Sequence, residues 1–226
     1  MMMKNKTLIA VIVVSIFGIA LIGCLRENLN SGNIDQGNFP NIKVAIVYES
    51  DGDPNDRIRD ANSIANLVAE TKADFIHRAY FRGRVMAVYE KKYEVYGILE
   101  DSIETIKMKN PNVLIGGAIA AHEISRVEYD PLTREVIPES KTWGEMALDP
   151  QKYGFNMTKE KLHEICWEEA GTEDFILPDI INTDFQKLLL DFAKKQIDCG
   201  VDAIWIDVLY VQAQIFSRLA KEEGKD

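Results

Sequence analysis

Histidine and cysteine are scarce in this chain, three of each in 226 residues. His122-Glu123 and His163-Glu164 open His-Glu dipeptides, but neither is followed by the second histidine of a zinc-protease helix. With His77 the only other imidazole, no local signature of a serine or cysteine triad is present either. There is no CxxC pair and no Walker pattern, and Gly116-Gly117 lacks the third glycine of a dinucleotide loop. Hence no metal and no cofactor is expected. The chain also has no Lys/Arg-rich run. Its net charge is −10, or −12 without Lys4 and Lys6. Phosphate recognition needs a clustered positive footprint, so a nucleic-acid partner is excluded.

The composition, 46% hydrophobic and 27% charged, is that of a folded domain. Lys4 and Lys6 precede an apolar or small run from Thr7 to Gly23, which ends in Leu21-Ile22-Gly23-Cys24. That pattern fits an export signal. Its last four residues resemble the lipobox of prokaryotic lipoproteins, which implies cleavage before Cys24 and lipidation of its thiol; an uncleaved anchor helix is the alternative. In both readings the domain faces outward from a membrane. Residues 25–41, rich in Asn and Gly, have the composition of a polar tether. Residues 42–226 form the domain. Cys166 and Cys199 are expected in helices as small buried hydrophobes, with a disulfide between them left open.

Along the domain, apolar β-branched runs alternate with helical periodicity. Strands are expected over 42–48, 74–81 and 113–119. A first helix is expected from Asp53-Pro54 through Ile64 and Val68, with the local acids read as helix capping, not as a cation loop. A second spans about Tyr93 to Asn110. Residues 125–178 are an insertion, containing a polar stretch before Trp143 and a short helix capped by Thr158, with Leu162, Ile165 and Cys166 inward and Gly171 at its end. Its aromatics Trp143, Tyr153, Phe155 and Trp167 fit a lid or a satellite core equally. Helical spacing returns from Asn182, with Phe185, Leu188, Leu189 and Phe192 on one face, and stops at Gly200.

Gly200 to Tyr210 (GVDAIWIDVLY) then reads as a central buried strand ending on Asp207, followed by a last helix. The fold class expected is α/β, with four parallel βα units. The carboxyl end of such strands is where α/β folds place their chemistry.

The stretch from Leu177 through Asp207, with its helix N-x-x-F-Q-x-x-L and strand GVDAIWID, resembles the strand-four region of (β/α)8-barrel glycoside hydrolases and their relatives. The resemblance implies a TIM-barrel-like fold, of which only about four of eight units are present. It also implies paired carboxylates acting on a glycosidic bond. Asp207 matches the strand-four acid, and Glu123 beyond strand three is the candidate second carboxyl. Glu49, Arg78, Tyr80 and Trp205 are expected to face the same mouth and bind substrate. Trp205 stands where the amylase-like pattern carries an arginine. A half barrel implies completion by a second copy or a companion chain. A sugar- or solute-binding lipoprotein and a non-catalytic remnant are the competing readings.

Overall fold

The computed structural model describes residues 41–47, 60–82, 92–167 and 175–225, with the backbone alone at 80–82, 92–95 and 167. Cys24, Glu49 and the helix ends expected at Asp53 and Gly171 lie outside the described residues. The first elements are β1 (Ala45–Val47), α1 (Ala61–Thr71), β2 (Phe75–Arg82), α2 (Lys92–Lys109) and β3 (Leu114–Ala120). The insertion follows with β4 (Ile124–Ser125), β5 (Glu128–Tyr129), β6 (Val136–Ile137), α3 (Glu139–Lys141), α4 (Lys159–Trp167) and β7 (Phe175–Ile176). The chain continues with α5 (Thr183–Asp198), β8 (Ala203–Asp207) and α6 (Val211–Glu222).

The chain is α/β. Its main sheet has the order β1-β2-β3-β8, every neighbouring pair parallel. Each main strand therefore lies beside the one before it, and the intervening helices collect on one face, as successive crossovers of one hand require. On that face Ile64, Ala65 and Val68 of α1 and Leu99, Ile103 and Ile106 of α2 pack against Ile76, Ala79 and Ile115. Beside them Phe185, Leu188 and Phe192 of α5 pack against Ile119. Each such Val, Leu, Ile or Phe side chain, fully buried, contributes about 1.5–3 kcal/mol.

Aspartates stitch the amino ends of the strands. Asp74 accepts the amides of Lys43 and Val44 at 2.9 and 3.1 Å. Asp202 accepts the Ile115 amide at 2.9 Å and the Lys107 ammonium at 2.7 Å. Acceptors are thus supplied where the ladder has none to give.

Three expectations are corrected. The strand that buries both faces is β3, not β8: from Ile115 to Ala120 every β3 residue is buried, whereas all five β8 residues are half-buried. Among the described residues β8 is an edge strand, which a continuous apolar run does not reveal. Helix α1 begins at Ala61, because Asp60 adopts an extended backbone and accepts the Asn62 and Ser63 amides as an N-cap of its own. In α4, Ile165 is exposed, and His163 turns inward instead, its ring nitrogens facing the carbonyls of Lys159 and Leu177 at 2.8 and 3.1 Å.

Within the insertion, Leu148 and Leu162 form a satellite core with Leu177, on which Tyr153 packs, whereas Trp143 packs against the cluster beneath α5. Tyr153 and Phe155 pack on Phe216 of α6, with ring centroids 4.6 and 5.3 Å apart. Trp143 lies between the Arg126 guanidinium and the Lys159 ammonium, 4.5 and 4.6 Å from its centroid, with His163 at its edge. The polar stretch before Trp143 contains the β5–β6 hairpin. Cys166 and Cys199 are free thiols; Cys199 is buried and Cys166 half-buried.

The glycines of β3 mark close approach on both faces. A Cβ on Gly116 would stand 2.8 Å from the Phe75 ring, and one on Gly117 would strike the Gln196 amide and lie 3.2 Å from Val201. Gln196 of α5 is fully buried and donates to the Ala118 carbonyl at 3.1 Å. Gly117→Ala is therefore expected to displace this amide and cost roughly 1–3 kcal/mol. In a urea-denaturation cycle with Gln196→Ala, the double variant should lose less than the two single losses added; strict additivity would refute the coupling.

Candidate functional site

Because side chains alternate along a strand, Gly117 and Ile119 face the helices, while Gly116, Ala118 and Ala120 line the other face of β3 with almost no side chain. Neighbouring strands can therefore reach each other over it. Trp205 of β8 sits in register with Ala118, and its ring meets His77 of β2 edge-on, centroids 5.1 Å apart. Phe75 continues the row, 6.1 Å from His77. Asp207 sits in register with Ala120, and its carboxylate forms an ion pair with Arg78 at 3.8 Å.

Adjacent residues His77 and Arg78 reach one face because β2 is bulged. Its register to β3 shifts between Ile76 and Tyr80, and Arg78 takes a left-handed backbone with φ 60°. Ile76 and Ala79 still face the helices, and the pair between them is turned to the opposite side. A second left-handed residue, Val208 with φ 57°, follows Asp207, and its amide donates to Asp207 Oδ1 at 2.8 Å. Positive φ at a β-branched residue is a genuine outlier. One of the two left-handed residues is thus a member of the ion pair, and the other directly follows its partner.

The β3–β8 ladder runs one step past the strand, with the Ala121 amide donating to the Asp207 carbonyl at 3.0 Å. His122 and Glu123 thus emerge beside Asp207. His122 Nε2 stands 3.7 Å from Glu123 Oε2, and the Glu123 side chain is only 12% exposed. Burial holds the His122 imidazole below its ordinary proton affinity, against a counter-pull from Asp207. His77 is lowered the same way, by burial first and then by the Arg78 charge.

Of the residues expected from sequence, Asp207, Glu123, Arg78 and Trp205 are brought to one end of the sheet. Tyr80 enters β2 opposite Gly117 by its backbone. His77 and His122 join them unannounced, while Phe75 extends the aromatic row back toward the amino end of the sheet, in register with Leu114. His77 and Phe75 share an alternate-residue spacing within β2, but no motif marks them. Among the described residues no three His, Cys, Asp or Glu side chains are grouped to hold a metal.

The arrangement offers two carboxylates, one guanidinium, two imidazoles and an aromatic row. That set can stack on an apolar ring face and exchange protons and hydrogen bonds beside it.

The histidines set a pH dependence. His77, His122 and His163 all have folded-state values below their ordinary 6.5. The unfolded chain therefore binds more protons as pH falls below that value, so their contribution is fully present above pH 6.5 and is lost as pH falls through the folded-state values. Urea unfolding at pH 7.5 and 5.5 is expected to show lower stability at 5.5; equal or greater stability there would contradict the assignment. Comparison with protein-family models, curated proteins and solved structures finds no match.

Proposed function

We propose that this chain is a carbohydrate-active protein of the glycoside-hydrolase-like βα type, which takes a sugar at the carboxyl end of the main sheet. In this reading Trp205, with His77 against its edge, offers a surface on which the apolar face of a sugar ring stacks. Asp207 and Glu123 act as the carboxylate pair, and Arg78 orients Asp207. The observation that carries the reading is the Arg78–Asp207 ion pair, in which Arg78 is itself left-handed and Asp207, at the end of β8, is followed by the left-handed Val208. Strained backbone of this kind clusters at ligand and catalytic sites. The parallel units would then be part of a TIM-barrel-like whole, completed by a second copy or a companion chain. Membrane attachment through Cys24, with the domain outside, belongs to the same proposal.

A second reading, sugar binding without cleavage, is favoured by one detail. Both Asp207 oxygens are engaged, Oδ1 by the Val208 amide and Oδ2 by Arg78, as in a carboxylate that orients a ligand.

The test measures binding and hydrolysis of a panel of neutral oligosaccharides by the full chain. For an enzyme, Asp207→Asn and Glu123→Gln should each lower turnover about 10²–10⁴-fold with little loss of binding. Trp205→Ala should weaken binding about five- to a hundredfold, the loss of one stacked ring. Binding by the wild type without turnover would select the second reading. No binding to any sugar would overturn both.

A further inference from the structure

The fold treats two of its histidines differently. His163 is buried, and its two ring nitrogens face the carbonyls of Lys159 and Leu177 at 2.8 and 3.1 Å. That imidazole is used for structure. His77 is half-buried on the sheet face opposite the helices, and among the described residues neither of its ring nitrogens has a hydrogen-bond partner. The ring is nonetheless held in place. It stands against Trp205 at an interplanar angle of 87°, centroids 5.1 Å apart, with Phe75 at 6.1 Å. Packing thus fixes the ring and leaves its polar atoms without protein partners, an arrangement that calls for an explanation other than stability.

The charges around His77 come from three elements. Arg78 adjoins it on β2, Asp207 lies across β3 on β8, and His122 with Glu123 follows β3. Burial first, and then the Arg78 charge, hold the imidazole below its ordinary proton affinity, against a pull from Asp207. At pH 7 the ring is therefore neutral, with one nitrogen a donor and the other an acceptor. A hydroxyl both donates and accepts, and so can meet either nitrogen. A phosphate or carboxylate oxygen can meet only the donor, and an ammonium only the acceptor.

We propose that His77 reads the hydroxyls of the ligand stacked on Trp205, so that the site selects neutral, hydroxyl-bearing rings by a hydrogen bond to this imidazole as well as by stacking. The proposal rests on the carbohydrate reading. A sugar ring laid on the indole by its apolar face carries hydroxyls around its rim, and the imidazole stands where that rim passes the indole. His77 is here a binding residue that sets specificity, with no part in bond cleavage.

The test pairs a shape-conserving variant with ligands that lack one hydroxyl. Binding of gluco-, xylo- and manno-oligosaccharides to the full chain is measured by calorimetry, and each sugar that binds is compared with its monodeoxy analogues. The wild type should bind one analogue at least about tenfold more weakly than its parent, because the imidazole then loses its partner. His77→Phe keeps a ring against Trp205 and removes both nitrogens. It should bind the parent sugar about five- to a hundredfold more weakly and no longer distinguish it from that analogue. Its urea midpoint should equal or exceed that of the wild type, since no protein hydrogen bond is lost. His77→Gln, which restores a donor and an acceptor, should recover part of the discrimination. A wild type that binds parent and analogues alike overturns the proposal, as does a His77→Phe variant that binds and discriminates as the wild type does. Either result leaves the carbohydrate reading standing, because sugar is bound. No sugar bound by the wild type overturns that reading and this proposal together.

Discussion

The arrangement at the carboxyl end depends on how little side chain β3 presents. Gly116, Ala118 and Ala120 leave one face of the central strand nearly bare, and on the other face Gly117 opens a gap between Ile115 and Ile119. On the helix side, the gap admits the amide of Gln196, which ties α5 to the Ala118 carbonyl. On the opposite side it lets β2 and β8, which are not neighbours, interact directly. His77 meets Trp205 and Arg78 meets Asp207 above the strand that separates them. A bulky β-branched residue at 118 or 120, the usual choice for a buried strand, would stand between each pair.

Magnitudes argue against reading the Arg78–Asp207 contact as a stabilising device. Its side chains are 20% and 26% exposed and 3.8 Å apart. Partly solvated pairs of that kind contribute about 0–1 kcal/mol. Residues such as Arg78 and Val208, held at positive φ, cost about 1–3 kcal/mol each. The ion pair cannot offset the backbone that presents it. The surrounding packing supplies the difference: Ile76 and Ala79 on either side of the bulge are locked in the helix-side core, and the ladder carries Asp207 and Ala121 past the strand end. Strain kept at such a cost is better explained by what the pair does than by what it stabilises.

Periodicity made most of the framework legible. The alternation of apolar runs and helical faces placed α1, α2, α4, α5, α6 and the main strands, and Asp207 at a strand end, from residues alone, but not the short α3. What periodicity could not show was lateral order. The AIWID run is as apolar as a central strand, yet it lies at the edge of the described sheet, since hydrophobicity records burial of faces and not pairing of edges. Nor could it show the bulge. Bulges with φ above zero are usually marked by glycine, and here the left-handed position is filled by Arg78. Without the bulge, His77 and Arg78 would point to opposite faces, so alternation alone hides half of the cluster. In α4, helical spacing allowed either Ile165 or His163 on the inner side; the two carbonyls facing His163 decide for the imidazole.

The insertion connects to the same end of the sheet by a route its aromatic content does not suggest. Asp179 accepts both contacts of the Tyr153 hydroxyl, at 2.8 and 2.7 Å, and receives the Gln212 amide at 3.2 Å. Burial, and then this carboxylate, push the Tyr153 hydroxyl up to about 12, so it remains a donor at any ordinary pH. Gln212 also accepts the Ile180 amide at 2.8 Å. Gln212 lies in the first turn of α6, four residues beyond Val208. The short segment from Asp207 to Val211 is therefore fixed at both ends, by the β3–β8 ladder on one side and by the insertion on the other. A left-handed valine persists only where its surroundings over-determine it. Through Tyr153 and Asp179 the 125–178 segment thus braces the start of α6 that follows the Asp207 turn.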